Sequence, residues 1–265
     1  MKSYVRMIIA LLALACAREA LPQTTRPLST DRPDRTESPY TVPRGWMQIE
    51  SDLASWGRIT GDDEQVTATQ IATLNMKIGV TNRIDLQVLF NPYVRTDTEI
   101  AGLPSEEDDA TGQAGLRAKF NVFGNDSDGA AFALLPFATV PTDEDPMFDF
   151  VSWGMVTPFS MPLGENAALS AMLGLTRNDN DDWWTTSSAS LGSAIAGDFG
   201  GFVELYLSRN SFDNDAIDDA TVDVGLTYAP GDWQLDAGVY RGLADETEDW
   251  RFFLGASGRF PLFAR

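Results

Sequence analysis

Between Trp46 and Phe260 apolar and polar residues alternate with a period of two, the pattern of β-strands that present one apolar face. In Thr67 to Val80, Ala68, Ala72, Leu74, Met76, Ile78 and Val80 share one face, and Thr67, Thr69, Thr73, Asn75 and Lys77 share the other. Ile84 to Asn91, Gly112 to Val122, Ala220 to Tyr228 and Trp233 to Tyr240 repeat the alternation. No run in this range approaches the roughly 20 consecutive apolar residues that a membrane helix needs. Turn chemistry divides the chain into twelve strands, near 45–56, 67–80, 84–94, 111–123, 130–140, 150–161, 167–176, 184–196, 199–209, 219–229, 233–241 and 249–260.

The connections between these strands alternate in kind. Thr81-Asn82-Arg83, Pro162 to Asn166, Gly197-Asp198 and Pro230-Gly231-Asp232 are short, and Gly124 to Gly129 only slightly longer. Between them come long loops at 57–66, 95–110, 141–149, 177–183, 210–218 and 242–248. An even number of long strands, with short turns at one end and long loops at the other, predicts an all-β fold: a closed antiparallel transmembrane β-barrel of about twelve strands in a Gram-negative outer membrane. Closure removes the unpaired edges that lipid does not tolerate. The aromatic residues fit interfacial belts, with Tyr228, Trp233 and Phe260 at the periplasmic level and Trp250 at the outer level. Trp46 and Trp56 share parity with Gln48, Glu50 and Asp52, so they face inward unless a bulge shifts the register. The last strand, Phe253 to Phe260, is similar to the aromatic-ended insertion signal read by outer-membrane assembly machinery, but residues 261–265 follow it as a tail.

Ahead of the first strand, residues 18–44 are charged and interrupted by Pro33, Pro39 and Pro43, which predicts an extended, irregular lead-in at or inside the barrel mouth. This stretch carries a resemblance. Asp31-Arg32-Pro33-Asp34, Glu37-Ser38-Pro39, Val42-Pro43-x-Gly45 and Gln48-x-Glu50 resemble the opening signature of the MetA-pathway of phenol degradation family. Leu134-Leu135-Pro136-Phe137 with Val140-Pro141-Thr142 is a second similarity, and Trp153-Gly154, Thr157-Pro158 and Met161-Pro162-Leu163-Gly164 a third. The resemblance implies an outer-membrane, transporter-like barrel, and it extends the solute class to aromatic or other hydrophobic compounds.

Residues 1–17 read as a secretory signal peptide. Lys2 and Arg6 form the charged region, Met7 to Ala15 the apolar region, and Ala15-Cys16-Ala17 the cleavage site. The competing reading is a lipoprotein signal cut before Cys16. Cleavage after Ala17 removes the single cysteine, and losing Lys2 and Arg6 takes the formal charge from −20 to −22. So acidic a chain is expected not to bind nucleic acid. It holds no histidine. That excludes Ser-His and Cys-His nucleophilic pairs, including the Ser-His pair of twelve-stranded outer-membrane phospholipases, and leaves only carboxylate chemistry open. Zinc sites built on His or Cys are excluded too. No phosphate-cradling or dinucleotide fingerprint occurs. The expectation is a non-enzyme without cofactors.

Acidic residues gather in the long loops: Asp62-Asp63-Glu64, Glu106 to Asp109, Asp143 to Asp145, Asp179 with Asp181-Asp182, Asp213 with Asp215, and Asp245-Glu246 with Glu248. Either they form a solvated acidic surface or they bind divalent cations; no loop has the glycine and terminal glutamate of an EF-hand, so no metal site is assigned. The inward set by parity is Gln48, Glu50, Asp52, Lys77, Asp85, Gln87, Arg117, Lys119, Asp223, Asp236, Arg251 and Arg259. Either these are the polar lining that any barrel needs, or they set the selectivity of a pore. Asp31, Arg32, Asp34, Arg35 and Glu37 stand just before the first strand and are expected to pair with that lining as a plug. The sequence thus points to a passive channel for small solutes, embedded in outer-membrane lipid. The alternative is a sealed structural barrel whose acidic loops bind cations or envelope lipids.

Overall fold

The computed structural model describes residues 26–126, 129–142, 150–179, 182–212, 215–244 and 247–262, with backbone only over 210–218. The signal peptide, both readings of its cleavage site, and the loop carboxylates at 143–145, 181, 213 and 245–246 lie outside the described residues.

The fold is all β, in fourteen segments: β1 (Trp46–Thr60), β2 (Glu64–Gly79), β3 (Ile84–Phe90), β4 (Tyr93–Ile100), β5 (Glu106–Ala110), β6 (Gln113–Phe123), β7 (Ala131–Pro141), β8 (Ser152–Pro162), β9 (Ala167–Asn178), β10 (Trp183–Ala196), β11 (Phe199–Phe212), β12 (Asp215–Tyr228), β13 (Trp233–Gly242) and β14 (Trp250–Pro261). Every pairing is antiparallel, and β1 pairs with both β2 and β14, so the sheet closes on itself. These segments make a barrel of twelve strands, because two strands are each broken once. β3 and β4 are halves of one strand, both paired with β2, while β6 pairs with β3 and β5 with β4. Pro92 lacks a donor at the first break. At the second, Gly112 donates to the Asn91 carbonyl at 2.9 Å, and a Cβ on Gly112 would meet the Asn91 side chain.

The expected strands recur within a few residues, but the long loops are shorter than expected. β1 and β2 run on to Thr60 and from Glu64, β4 and β5 occupy most of 95–110, and β11 and β12 leave only 213–214 between them. The asymmetry is carried by hairpins that continue past the membrane. Both faces of such a hairpin meet water, so its sequence loses the period-two signal. The Glu106 to Asp109 run is therefore strand β5, not loop; its charges suit an edge strand with one partner.

The inward face switches parity once along β1 and once along β2, and at the same point, between Asp52 and Ala54, β1 shifts register against β14. Leu53 and Ala72 are skipped between the pairs Asp52↔Thr73 and Ala54↔Ile71, and Ala72 sits at φ 58° in the left-handed region. Thr67 and Thr69 therefore share the outer face with Leu74, and Ala68 shares the inner face with Thr73, Asn75 and Lys77, which corrects the single alternation read over Thr67 to Val80. The same bulge turns Trp56 outward, where its ring lies 6.0 Å from Phe252. Trp46 precedes the bulge and stays inward, with the Arg259 guanidinium 5.5 Å from its ring.

The molecule is inverted relative to a soluble protein. Gln48, Glu50, Lys77, Asp85, Gln87, Lys119, Glu204 and Asp223 are each at most 2% exposed, while Leu116, Leu173, Leu226 and Leu254 are 57–66% exposed. Such an apolar outer face surpasses what soluble monomers carry and fits hydrocarbon. The protein is an outer-membrane β-barrel. Among the described residues no helix is long and apolar enough to cross a membrane, which says nothing against crossing by strands.

Candidate functional site

The lumen is occupied by residues 26–45 of the same chain. They enter and leave at the end of the short turns. Arg26 reaches the Asn82 carbonyl at 3.2 Å and the Asp126 carboxylate at 3.2 Å, and Gly45 donates to the Gly79 carbonyl at 3.0 Å. Between these anchors the segment rises into the barrel and returns. Its two limbs are tied by the Ser29 and Ser38 hydroxyls, 2.7 Å apart, and by the Ser38 N–H donating to Asp31 at 3.0 Å. Three prolines keep it out of regular structure, and its backbone groups are satisfied instead by the barrel wall. The Arg32–Pro33 peptide is cis.

The ascending limb meets β1, β2 and β6. The Asp31 carboxylate is bridged by the ammonium groups of Lys77 and Lys119, the latter at 2.7 Å, with an Arg117 nitrogen at 3.7 Å. Glu50 also accepts from Lys77 and takes the Asp31 N–H at 3.0 Å. Arg117 pairs with Glu37 and donates to Gln87 at 3.0 Å. Three cations therefore face three carboxylates, in space where fewer partners would leave a charge stranded. The Lys77 and Lys119 side chains are 2% and 1% exposed.

Across the lumen the charges reverse. Arg32 is clamped between Asp52 and Asp236, 2.6 Å from the latter, and its backbone carbonyl accepts from Gln234 at 3.1 Å. Its guanidinium lies over Gly255, where any Cβ would collide with it. At the top of the loop the Arg35 guanidinium stacks 3.3 Å from the Tyr206 ring centroid and 3.6 Å from Asp219. Glu204 accepts the Arg35 N–H at 2.7 Å and the Thr36 hydroxyl, which also meets Ser188 at 2.6 Å. Asp34 is enclosed near Glu204. That enclosure, and next the Glu204 carboxylate, pushes the Asp34 carboxyl up to about 8.

Beyond Glu37 the descending limb is held by hydrogen bonds to its backbone rather than by ion pairs. Asn121 donates to the Pro39 carbonyl at 3.0 Å, the Thr41 N–H donates to Asn125 at 3.0 Å, and the Val42 N–H donates to Asp85 at 2.9 Å. Gly79 permits the contact at the exit, since a Cβ there would strike the Pro43 carbonyl.

Of the twelve lining residues expected from parity, nine touch the lead-in: Gln48, Glu50, Asp52, Lys77, Asp85, Arg117, Lys119, Asp236 and Arg259, whose contact is the Pro27 carbonyl at 3.3 Å. Gln87 supports Arg117 from behind. Two are not drawn in. Arg251 is spent on Glu248 and lies 3.3 Å from Ser55, nearer the outer end. Asp223 faces Glu204 across the β11–β12 pair, and neither of its oxygens has a hydrogen-bond partner among the described residues. Parity reasoning passed over Glu204, Tyr206, Ser188, Gln234, Tyr240 and Gly255. Glu204 and Tyr206 were findable, since they alternate with the outward Val203, Leu205 and Leu207. Gly255 was not, because only the position of Arg32 makes a glycine necessary there.

No group of three or more carboxylates among the described residues is arranged to hold a metal ion. Asp249 pairs with Arg241 at 3.6 Å, and Glu248 with Arg251.

The family model described as "Putative MetA-pathway of phenol degradation" matches residues 30–260. Among solved structures, an outer membrane channel from Pseudomonas putida F1 is similar at a TM-score of 0.65 and 15% identity, covering 88% of this chain and 100% of that one. The beta domain of the Bordetella autotransporter BrkA is similar at a TM-score of 0.56 and 14% identity, covering 81% of this chain and 98% of that one. No curated protein sequence matches.

Proposed function

The chain belongs to the MetA-pathway of phenol degradation family, and on that footing we propose that it is a passive outer-membrane channel for small molecules, with its periplasmic half closed by residues 26–45. The observation that carries this reading is how the closing segment is held. It is seated by ion pairs and hydrogen bonds on polar walls, not by an apolar core. A polar wall can be rehydrated when the segment leaves, so the lumen can serve as an aqueous path; a permanently sealed barrel gains more from apolar filling. Asp31, Arg32, Asp34, Arg35 and Glu37 act as the plug, and the lining residues that pair with them become the selectivity surface when it withdraws. The substrate class is that of the family name, small aromatic or other hydrophobic compounds.

Uptake into liposomes carrying the refolded mature protein tests this. Phenol-sized solutes are expected to enter faster through protein lacking residues 26–43 than through intact protein, and faster than disaccharides. Equal, background-level uptake by both proteins, with the barrel still heat-modifiable on gels, would contradict it and favour the sealed structural reading.

A further inference from the structure

Five outward-facing positions at the outer rim do not fit a plain apolar belt. Across three adjacent strands, Arg58 on β1, Trp250 on β14 and Arg241 on β13 stand in one row, since Trp250 is the register partner of both arginines. One row nearer the membrane centre stand Trp56 and Phe252, paired with one another. The Arg58 guanidinium lies 5.0 Å from the Trp56 ring and that of Arg241 4.6 Å from the Trp250 ring. Neighbouring strands are about 4.8 Å apart, so the two arginine backbones are about 10 Å apart with an indole between them. These residues, with Thr60 and Asp249, line a cavity of about 480 Å³ on the outer wall.

The charges here differ from those in the lumen. Inside, Lys77, Lys119, Arg32 and Arg117 each meet a carboxylate. Outside, Arg241 is partly engaged by Asp249, donating to its carbonyl at 2.6 Å and lying 3.6 Å from its carboxylate. The Arg58 Nε is buried and has no hydrogen-bond partner among the described residues. Two guanidiniums against one carboxylate leave this cavity net positive, on a chain of formal charge −20. Trp250 and Phe252, 43% and 51% exposed, place it at the level where aromatic belts meet lipid headgroups. Arginine forks match phosphate oxygens, and exposed Leu254 continues an apolar wall beneath for acyl chains.

We propose that the Arg58–Trp250–Arg241 row binds the phosphorylated headgroup of an outer-leaflet lipid, with its acyl chains laid along Phe252 and Leu254. A second row of the same kind supports a designed rim. Trp153 on β8, Arg177 on β9 and Trp183 on β10 are register partners on the opposite side of the barrel, with the Arg177 guanidinium 5.3 Å from the Trp183 ring. The assignment depends on the outer-membrane location and not on whether the lumen conducts.

Native mass spectrometry of the intact mature barrel in detergent tests it, with diphosphoryl lipid A, the same lipid without phosphates, and inorganic phosphate as probes. The native protein should retain the phosphorylated lipid about thirtyfold more tightly than its phosphate-free counterpart, from two arginines near the headgroup plane. Arg58→Gln with Arg241→Gln should abolish that preference, and the paired Arg→Lys variant should keep most of it. Should the double Gln variant fail to assemble, Arg241→Gln alone, at a half-exposed site, should lose part of the preference. Equal retention of the two lipids by native protein would overturn the proposal in favour of snorkelling side chains. So would an undiminished preference in the Gln variants, or displacement of the lipid by an equal concentration of inorganic phosphate.

Discussion

Replacing Asp31 by Asn should loosen the lumen segment without opening the barrel. The Asp31 carboxylate is the shared partner of Lys77 and Lys119 and lies 3.7 Å from Arg117. Lys77 keeps Glu50 when that charge is removed, but Lys119, with its side chain 1% exposed, loses its ion-pair partner. Stranding one member of a buried pair costs about 3–5 kcal/mol. Asn preserves the shape and can still accept from the Ser38 N–H, so the lower figure applies. A cost of ~3 kcal/mol shifts the ratio of docked to released segment about a hundredfold. Hydrogen exchange read by mass spectrometry reports this ratio. The amides of Asp31, Arg35, Thr41 and Val42 are bonded to lumen side chains, so they exchange only on release. Peptides covering 26–44 should exchange about a hundredfold faster in the variant, with the barrel strands unchanged. Adding Lys119→Met, which removes the stranded charge, should recover most of the protection. A change under about threefold, or a double variant no better than the single one, would refute the claim that matched charges hold the segment.

Two further outcomes follow from the same geometry. Gly255→Ala should push the Arg32 guanidinium out of its clamp between Asp52 and Asp236 at a cost of about 1–3 kcal/mol, read as faster exchange over 30–35 and a higher open fraction in bilayers. Docking should also depend on pH through Asp34. Its carboxyl is pushed up to about 8 in the docked segment, so docking takes up a proton; it is tightest near the ordinary carboxylate range, weakens as pH rises toward 8 and is flat above. Exchange over 26–44 followed from pH 5 to 9, corrected for the intrinsic rate, should show that rise in native protein and a smaller one in Asp34→Asn, where Glu37, its carboxyl pushed up to about 7 by burial, still takes up a proton on docking.

The strands were legible because lipid and lumen impose opposite polarities on alternate residues. In Val203-Glu204-Leu205-Tyr206-Leu207 the pattern reads directly as out-in-out-in-out. The change of face at Leu53 and Ala72 was not legible, since neither is a glycine and nothing in the local composition marks a bulge; Trp56 betrayed it by falling on the wrong face. Hairpin extensions such as β4–β5 were hidden because water on both faces leaves no period to read. The charge alternation of Asp31, Arg32, Asp34, Arg35 and Glu37 pointed to a partner of mixed sign. Which wall residue meets which charge depends on the path of the segment in the lumen, and that path is set by distant contacts such as Tyr240 donating to the Pro33 carbonyl at 3.1 Å.

The measurement that bears most directly on the central claim is single-channel conductance of the refolded mature protein in a planar bilayer, with and without residues 18–44. The account predicts discrete, small or intermittent conductance from the intact chain and a larger, steadier one from the truncated chain. Silence from both, in barrels shown by heat-modifiable migration to be folded, would contradict a channel closed by its own N-terminal segment.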